Sequence, residues 1–393
     1  RSGCWECVLT VLDILLSTLI VGPCVVGFWR GTWEYMNHFP AEFPLWWTLF
    51  VSSALHFAFT LVRDGLVERF PTGSALYFIV SRVYIYVFAV CCAMQWRSTW
   101  QILEESVGED LDLILLVTVP STLILFAFRL FGNTLAPPYV VATDFKAEEV
   151  FAFPTMFKVP GTRDTWLYIC DCFFSVFIIG SLVVFVWRGF WCLLDIYLFP
   201  ESADISAWGS LAIGYILVFS TFAAQPIMKS IVIRVKGFWR ILAVDIYLIF
   251  SFCGTVNVWR GVWNLLNLYF LKENPVRSYW VSHLACFILL IFINSSNSIL
   301  VRGVYIDAEE EGAQCVDFPC YYLRLFFQTK RKKKLLQQLQ KRQVAALVRR
   351  KSEEGGYVNA GQDVDLGPVA NHLNQNKRRT SIQLPPTDTV HVI

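Results

Sequence analysis

Charged side chains within long apolar stretches are the residues of this sequence whose type and spacing allow chemistry. Asp13, Asp171 and Asp245 each lie a few residues into an apolar run, and an arginine ends the apolar run that follows. An acid inside a membrane is costly, so it either holds a structural ion pair or takes up a proton or a cation. The sequence contains four such pairs of apolar runs, and in the second pair Arg82 stands where the other three have an aspartate. This difference argues against an ion site that is repeated four times. The predicted pairs are Asp13 with Arg63, Asp171 with Arg234, and Asp245 with Arg302.

One short phrase, Trp-Arg-small-any-aromatic, occurs four times and indicates a repeated unit. We predict that it marks the outer end of a spanning helix. In one interpretation its paired aromatic residues share a helix face and anchor the helix at the bilayer surface, while the arginine extends to the interface. In the other, four basic rims surround a vestibule that attracts anions or holds an extracellular partner. The phrases begin at Trp29-Arg30, Trp96-Arg97, Trp187-Arg188 and Trp259-Arg260.

Polar residues also interrupt the later apolar runs. Their hydrogen bonds must be met by other helices or by water in a cavity, so they indicate either a packing seam or a lined path. The candidates are Gln225, His283, Asn294 and Asn297. The twelve cysteines have no metal-ligand spacing, and no Walker loop, His-Glu-x-x-His or Gly-x-Ser-x-Gly motif occurs. We therefore expect no catalytic residue, no cofactor, no metal and no nucleic-acid partner.

The elements that position these residues are apolar helices. Hydrophobic residues make up 55% of the sequence and charged residues only 16%, as expected for a membrane protein. A spanning helix needs about 20 apolar residues, and eight stretches qualify. The predicted fold is an all-α polytopic transmembrane bundle of four repeated helical hairpins. Its spans are 8–28, 44–62, 75–96, 111–131, 166–187, 208–233, 241–259 and 279–301.

A longer loop with several prolines divides the predicted bundle. Residues 1–131 form the first membrane half, 132–165 the linker loop, 166–306 the second half and 307–393 the tail. The even-numbered loops contain eleven Lys and Arg and the odd-numbered loops six, so both termini are predicted to lie on the cytoplasmic side. We expect the membrane to be the plasma membrane. Because the sequence starts at Arg1 without Met, we expect it to be truncated.

The tail carries a basic segment, residues 321–351, followed by a polar end predicted to be disordered. Eleven Lys or Arg and no acid occur from 324 to 351. Such a segment either acts as a positive-inside signal with an exposed helix, or binds anionic inner-leaflet lipid or calmodulin. Basic residues precede two candidate phosphorylation sites, Ser352 and Ser381. The candidate binding residues are Lys330, Arg331, Lys332, Lys333, Lys334, Lys341 and Arg342.

The sequence resembles the Fuseless family of invertebrate multipass membrane proteins. The resemblance lies in the four phrases, in the segments 188–197 and 237–247, and in the basic end of the last span. The resemblance covers roughly residues 8–330. It implies an eight-helix presynaptic protein that helps organise voltage-gated calcium channels at active zones, with their scaffold proteins, and so supports neurotransmitter release. The alternative is a transporter or ion-permeable protein with a polar path between helices six and eight.

Overall fold

The computed structural model describes residues 2–161, 164–301, 303–309, 312–318 and 320–354. Within these ranges all regular elements are helical. α1 and α5 are continuous helices, each with one π-helical turn in its middle. The long helices are α1 (Ser2–Leu16, Ser17–Val21, Gly22–His38), α2 (Leu45–Arg69), α3 (Ala75–Val107), α4 (Leu111–Ala127), α5 (Thr165–Phe173, Phe174–Ile179, Gly180–Tyr197), α6 (Ala203–Arg234), α7 (Phe238–Tyr269), α8 (Pro275–Phe292) and α9 (Leu323–Glu354), and a short helix, Ala147–Phe151, lies in the predicted linker.

Seven of these helices, α1 to α3 and α5 to α8, are long and apolar enough to cross a membrane. α4 is apolar as well but has 17 residues. The chain therefore has the build of a multipass helical membrane protein. Length and composition support seven spans, one fewer than the eight that the sequence predicts.

The four Trp-Arg phrases lie inside helices, so the prediction that they mark helix ends was wrong. α1 continues from Trp29 to His38, and α3 continues from Trp96 to Val107. The apolar run ends at each phrase, but the residues after it are still compatible with a helix. Hydrophobicity therefore marked where the apolar surface ends and not where the helix ends.

α4 and α8 end earlier than predicted, at Ala127 and Phe292. Arg129 and Asn294 follow with left-handed backbone, at φ of 59° and 51°. Each of these turns continues into a single 3-10 turn, which is Phe131–Thr134 after α4 and Ser296–Ile299 after α8. We call residues 128–137 and 293–301 the two re-entrant segments, because they turn back towards the centre of the bundle. The polar run that includes Asn294 and Asn297 thus lies outside α8.

α1, α3, α5 and α7 surround a common axis. The first tryptophans of their phrases contact one another, and so do the second tryptophans, one helical turn further along. If two neighbouring helices pointed in opposite directions, their first tryptophans could lie at one level, but their second tryptophans would then lie on opposite sides of that level. The four core helices are therefore parallel.

Each core helix is backed by one peripheral helix: α8 backs α1, α2 backs α3, α4 backs α5 and α6 backs α7. This pairing differs from the predicted hairpins, which joined each odd helix to the even helix after it. The small residue of the phrase provides the physical reason. A Cβ at Gly31 would lie 2.5 Å from the backbone oxygen of Tyr279 in α8, and one at Gly261 would lie 2.6 Å from the backbone nitrogen of Leu211 in α6. Gly189 is similarly close to Thr118 in α4.

The two sequence halves consequently interlock, since α8 of the second half backs a core helix of the first and α4 of the first backs a core helix of the second. The predicted linker, residues 132–165, contributes buried side chains such as Tyr139 and Phe151 to the core. The described residues among 307–322, a range that we assigned to the tail, belong to the same compact unit as the bundle. α9 belongs to a separate unit.

Candidate functional site: two tryptophan rings on the helix axis

The first tryptophans of the four phrases form a closed ring, which we call the first ring. Trp29 contacts Trp96, Trp96 contacts Trp187, Trp187 contacts Trp259, and Trp259 contacts Trp29. Neighbouring ring centroids are 5.3–5.8 Å apart, with interplanar angles of 70–80°. Edge-to-face contacts of this kind add about 0.5–1.5 kcal/mol each beyond the burial of area. The ring therefore ties all four core helices together.

A second ring repeats this arrangement one helical turn further along the helices. Trp33, Trp100, Trp191 and Trp263 contact one another in the same order. Their centroids are 5.6–5.9 Å apart and their planes are nearly perpendicular, at 83–88°. The sequence singled out the first tryptophan of each phrase as a site residue, and the structure adds the second.

The two re-entrant segments form a floor beside the first ring. Three first-ring indole nitrogens donate hydrogen bonds of 2.8–3.0 Å to backbone oxygens of these segments. Buried carbonyl groups need such donors, because an unpaired one costs free energy. The bonds run from Trp29 to Ile299, from Trp187 to Thr134 and from Trp259 to Pro137.

The rings and the floor enclose a cavity of about 280 Å³ on the axis. All eight tryptophans line it, together with Glu34, Asn264, Asn267 and the floor residues 133–136 and Val301. Glu34 carries the single formal charge among the described lining residues, and it accepts a hydrogen bond of 2.9 Å from the indole nitrogen of Trp263. Because the floor adjoins the first ring, a ligand would enter past the second ring, from the end at which the core helices stop.

The phrase arginines lie beside the rings and point between helices. Arg30, Arg97, Arg188 and Arg260 are only 2–3% exposed. Three of them reach a polar side chain of the neighbouring core helix: Arg30 binds Asn267 at 2.7 Å, Arg97 binds Asn37 at 2.7 Å and Arg260 binds Asp195 at 2.7 Å. Arg188 donates to the backbone oxygen of Gly108, directly after α3.

Two of these arginines also hold the backing helix. Arg30 donates to Ser278 of α8, and Arg260 donates to Ser210 of α6 at 2.6 Å. A buried guanidinium requires such a set of acceptors. The arginines therefore form an internal girdle around the tryptophan rings. This girdle replaces both predicted interpretations, the interfacial anchor and the basic vestibule rim.

Two residues of the predicted intramembrane pairs, Asp171 and Arg63, have other partners in the structure. Asp171 is buried and accepts hydrogen bonds from the Thr155 hydroxyl at 2.7 Å and from the backbone of Phe157 at 3.0 Å, whereas Arg234 is exposed at the end of α6. Arg63 contacts Asp64 at 3.6 Å and lies over the ring of Tyr168 in α5. Asp171 thus fixes the loop before α5. Asp13 is buried, Asp245 is partly buried, and Arg302 lies outside the described residues.

Two acids that sequence reasoning missed hold the re-entrant segments in place. Asp144 accepts hydrogen bonds from the backbone of Ser296 and Asn297 at 2.7–3.0 Å and pairs with Arg82 at 2.9 Å. Asp307 accepts bonds of 3.0 Å from the backbone nitrogen of Gly132. The linker therefore caps the re-entrant segment after α8, and the residue that begins the predicted tail caps the re-entrant segment after α4.

The four polar seam residues each have a partner. Gln225 donates to Asp317 at 2.6 Å, and His283 lies between Thr32 and Tyr86 at 2.8 and 3.0 Å. Asn294 accepts from Arg82 at 3.0 Å, and Asn297 donates to backbone oxygens of residues 143 and 149. α6 packs on α7 while α8 packs on α1, so the structure does not bring these residues together along one path.

Burial raises the pKa of Asp307 to about 7, although the Gly132 amide that it binds acts in the opposite direction. The pKa of an aspartate in the unfolded chain is about 4, so the folded protein binds this proton more tightly than the unfolded chain does. The contribution of Asp307 to the free energy of unfolding is therefore fully present below about pH 4 and is lost as the pH rises through 7. We expect Asp307→Asn to remove this loss. Apparent melting temperatures between about pH 4 and pH 8 would then increasingly favour the variant as the pH rises. A parent protein whose stability increases over this window relative to the variant would refute the assignment.

The predicted basic residues of the tail lie in α9, which extends from Leu323 to Glu354. Lys330, Arg331, Lys334, Lys341 and Arg342 are exposed, as are the apolar Leu335, Leu336 and Leu339. The side chains of Lys332, Lys333 and Ser352 are not among those described, and Ser381 and the predicted disordered end lie outside the described residues.

Glu34 is the cavity residue that a sequence signal would have revealed. It directly follows the second tryptophan of the first phrase, where the other three phrases have Gln101, Cys192 and Asn264. Asp144 and Asp307 had no such signal, because each contacts a segment more than a hundred residues away.

No curated protein and no solved structure gives a significant match. A sequence model of the Fuseless family matches residues 8–300, a range that contains all four phrases and extends from within α1 into the re-entrant segment after α8. The chain therefore belongs to the Fuseless family.

Proposed function

We propose that this protein is a non-catalytic membrane organiser that positions presynaptic voltage-gated calcium channels at active zones and thereby supports neurotransmitter release. Membership of the Fuseless family is the observation that carries this proposal. The packing is consistent with it, because the buried arginines and most of the polar residues that suggested a transport path serve contacts within the bundle. A bundle whose polar residues are engaged in internal contacts suits a role in holding partners.

The proposed topology has eight spans in the plasma membrane, with α4 as the eighth. Its 17 residues are at the short end of the range of about 17–25 that a span needs. An even number of spans puts both ends of the chain on one side, and the excess of basic residues in the even-numbered loops favours the cytoplasm. The second tryptophan ring then faces the outside of the cell.

The proposed role of α9 is to contact the inner leaflet, calmodulin or a cytoplasmic scaffold. Its exposed Leu335, Leu336 and Leu339 supply apolar anchors, and its basic residues supply attraction of about 1 kcal/mol each towards anionic lipid. Phosphorylation at Ser352 or Ser381 would add negative charge beside the basic residues and weaken that attraction.

Proximity labelling from the C-terminal end in neurons tests the organiser proposal. The intact protein would be compared with a form lacking residues 321–351 and with a matched form in which Lys330, Arg331, Lys334, Lys341 and Arg342 are replaced by glutamine. We expect calcium-channel subunits and active-zone scaffolds to be enriched by the intact protein and reduced several-fold in both altered forms. Absence of synaptic proteins around an intact protein that reaches the surface would contradict the proposal.

The second proposal is a transporter or ion-permeable protein, and the cavity on the core axis is the observation that favours it. This moves the candidate path from between α6 and α8 to the centre of the tryptophan rings. The floor of re-entrant segments would then act as a gate, because it adjoins the first ring. Uptake into proteoliposomes distinguishes this proposal from the organiser, which requires no flux.

A further inference from the structure

The cavity between the tryptophan rings has the chemistry of a site for a small cation. Its walls are eight indole rings, and tryptophan is the side chain whose ring face attracts cations most strongly. Neighbouring centroids of the first ring lie 5.3–5.8 Å apart. In a square of that side the centre lies about 4 Å from each centroid, within the reach of about 6 Å over which cation–π attraction acts.

The charges around the cavity also favour a cation. Glu34 lies in its wall, and the four girdle arginines are directed towards neighbouring helices and are not among its lining residues. The indole nitrogens of Trp29, Trp187, Trp259 and Trp263 already donate to protein acceptors. These four donors are therefore unavailable to an anion or to a neutral acceptor.

The scarcity of oxygen ligands decides between kinds of cation. A metal ion such as Ca²⁺ needs six to eight oxygen ligands, and a primary ammonium needs acceptors for three N–H groups. The described side chains of the cavity wall hold six oxygens, on Glu34, Asn264, Asn267, Asn133 and Thr134. Four of the six already accept hydrogen bonds within the protein: both oxygens of Glu34, and the amide oxygens of Asn267 and Asn133. A quaternary ammonium has no N–H donor and is held by aromatic faces and a counter-charge. The cavity of about 280 Å³ lies just below the usual range of ligand sites, so the ligand is small.

We propose that the two tryptophan rings and Glu34 form a binding site for a trimethylammonium group, entered past the second ring. The group belongs either to a free solute such as choline or to the headgroup of a choline lipid. This inference does not depend on the organiser proposal, since it rests on the cavity alone.

Binding of radiolabelled choline to the purified full chain in phosphatidylglycerol nanodiscs, which contain no choline lipid, tests the site. We expect saturable binding that tetramethylammonium displaces and that 3,3-dimethyl-1-butanol, the uncharged isostere of choline, does not. Equal displacement by the isostere would overturn the proposal, because shape alone would then suffice. Absence of saturable choline binding would overturn it as well.

Two substitutions locate the site. Glu34→Gln keeps an oxygen acceptor for Trp263 and is expected to weaken choline binding about tenfold, and Trp191→Leu at least as much. The matched controls are Glu42→Gln and Trp46→Leu, which alter exposed residues of the same two types away from the cavity and should leave binding unchanged. Unchanged binding in a folded Glu34→Gln variant, judged by its elution and melting temperature, would contradict the assignment even if Trp191→Leu fails to fold.

Repeating the measurement in phosphatidylcholine nanodiscs distinguishes the two sources of the group. Choline that binds equally well in both membranes indicates a free solute as the ligand. Choline that binds only in the membrane without choline lipid indicates that the lipid headgroup occupies the site.

Discussion

Replacement of Asp144 by alanine is expected to lower the free energy of unfolding by about 3–5 kcal/mol. The carboxylate is completely buried and pairs with Arg82 at 2.9 Å. It also receives the backbone N–H groups of Ser296 and Asn297, which begin the 3-10 turn after α8. Alanine would leave a largely buried guanidinium and two N–H groups without their acceptor, and it would release the re-entrant segment that forms part of the cavity floor.

Equilibrium unfolding of the purified protein in detergent micelles, followed by tryptophan fluorescence, measures this loss. Glu148→Ala is the matched control, because Glu148 is an exposed acid four residues further along the chain, and its effect should stay within about 0.5 kcal/mol. Asp144→Asn should fall between the two, since it keeps the shape but loses the charge. A loss no larger for Asp144→Ala than for Glu148→Ala would show that Asp144 does not hold the re-entrant segment after α8 in place.

Gly31→Ala is expected to destabilise the protein by about 1–3 kcal/mol although alanine is the better helix former. The added Cβ would lie 2.5 Å from the backbone oxygen of Tyr279 and 2.9 Å from the backbone nitrogen of His283. Backbone atoms cannot rotate away as a flexible side chain can, so α8 has to move outward. That movement would also disturb the contacts of Arg30 with Ser278 and of Thr32 with His283.

Gly65→Ala provides the matched control for this substitution. Gly65 lies within α2, and a Cβ there would meet nothing within 4 Å. The same exchange at Gly65 should therefore increase stability by about 0.5–1 kcal/mol, through helix propensity alone. If the two variants change stability in the same direction and by the same amount, then α8 does not pack on α1 as closely as the structure has it.

The sequence was a good guide to features that depend on local composition. Apolar runs located all eight long helices of the body, because this signal is carried by neighbouring residues. The four phrases lie at equivalent positions in the four core helices. The order of helices in the second half also repeats the first, down to the π-helical turns Ser17–Val21 and Phe174–Ile179. Family membership was likewise evident from the phrases and two short segments.

Features that depend on packing between distant segments were not predictable in this way. The phrase arginines were expected at an interface because arginine is normally exposed, yet Arg260 finds Asp195 and Ser210 on two different helices. The predicted hairpin pairing was wrong because chain order shows which helices are connected by loops. It does not show which helices pack closely at the glycines of the phrases. Asp171 was paired with a distant arginine, whereas its acceptor atoms are filled by the loop just before α5.

The tryptophan rings also depend on packing between distant segments, although part of their arrangement is visible in the sequence. The spacing of four residues within a phrase correctly puts both tryptophans on one helix face. Closure into a ring, however, requires four parallel helices at equal depth, and this depends on the backing helices and on the floor beneath them. The cavity and its acid, Glu34, follow from that closure.

The packing of α8 against α1 across the two halves is the central feature of this architecture, and disulfide cross-linking in membranes tests it most directly. Cys24 of α1 and Cys286 of α8 lie at the contact of these two helices: a Cβ at Gly27, three residues after Cys24, would lie 2.6 Å from the sulfur of Cys286. In a protein retaining only these two cysteines, mild oxidation should link them, as read by mass spectrometry of the joined peptides. A protein retaining only Cys253 and Cys286 should not form a link. Linkage of Cys253 with Cys286 and none of Cys24 with Cys286 would contradict the interlocked arrangement and restore the hairpin of α7 with α8.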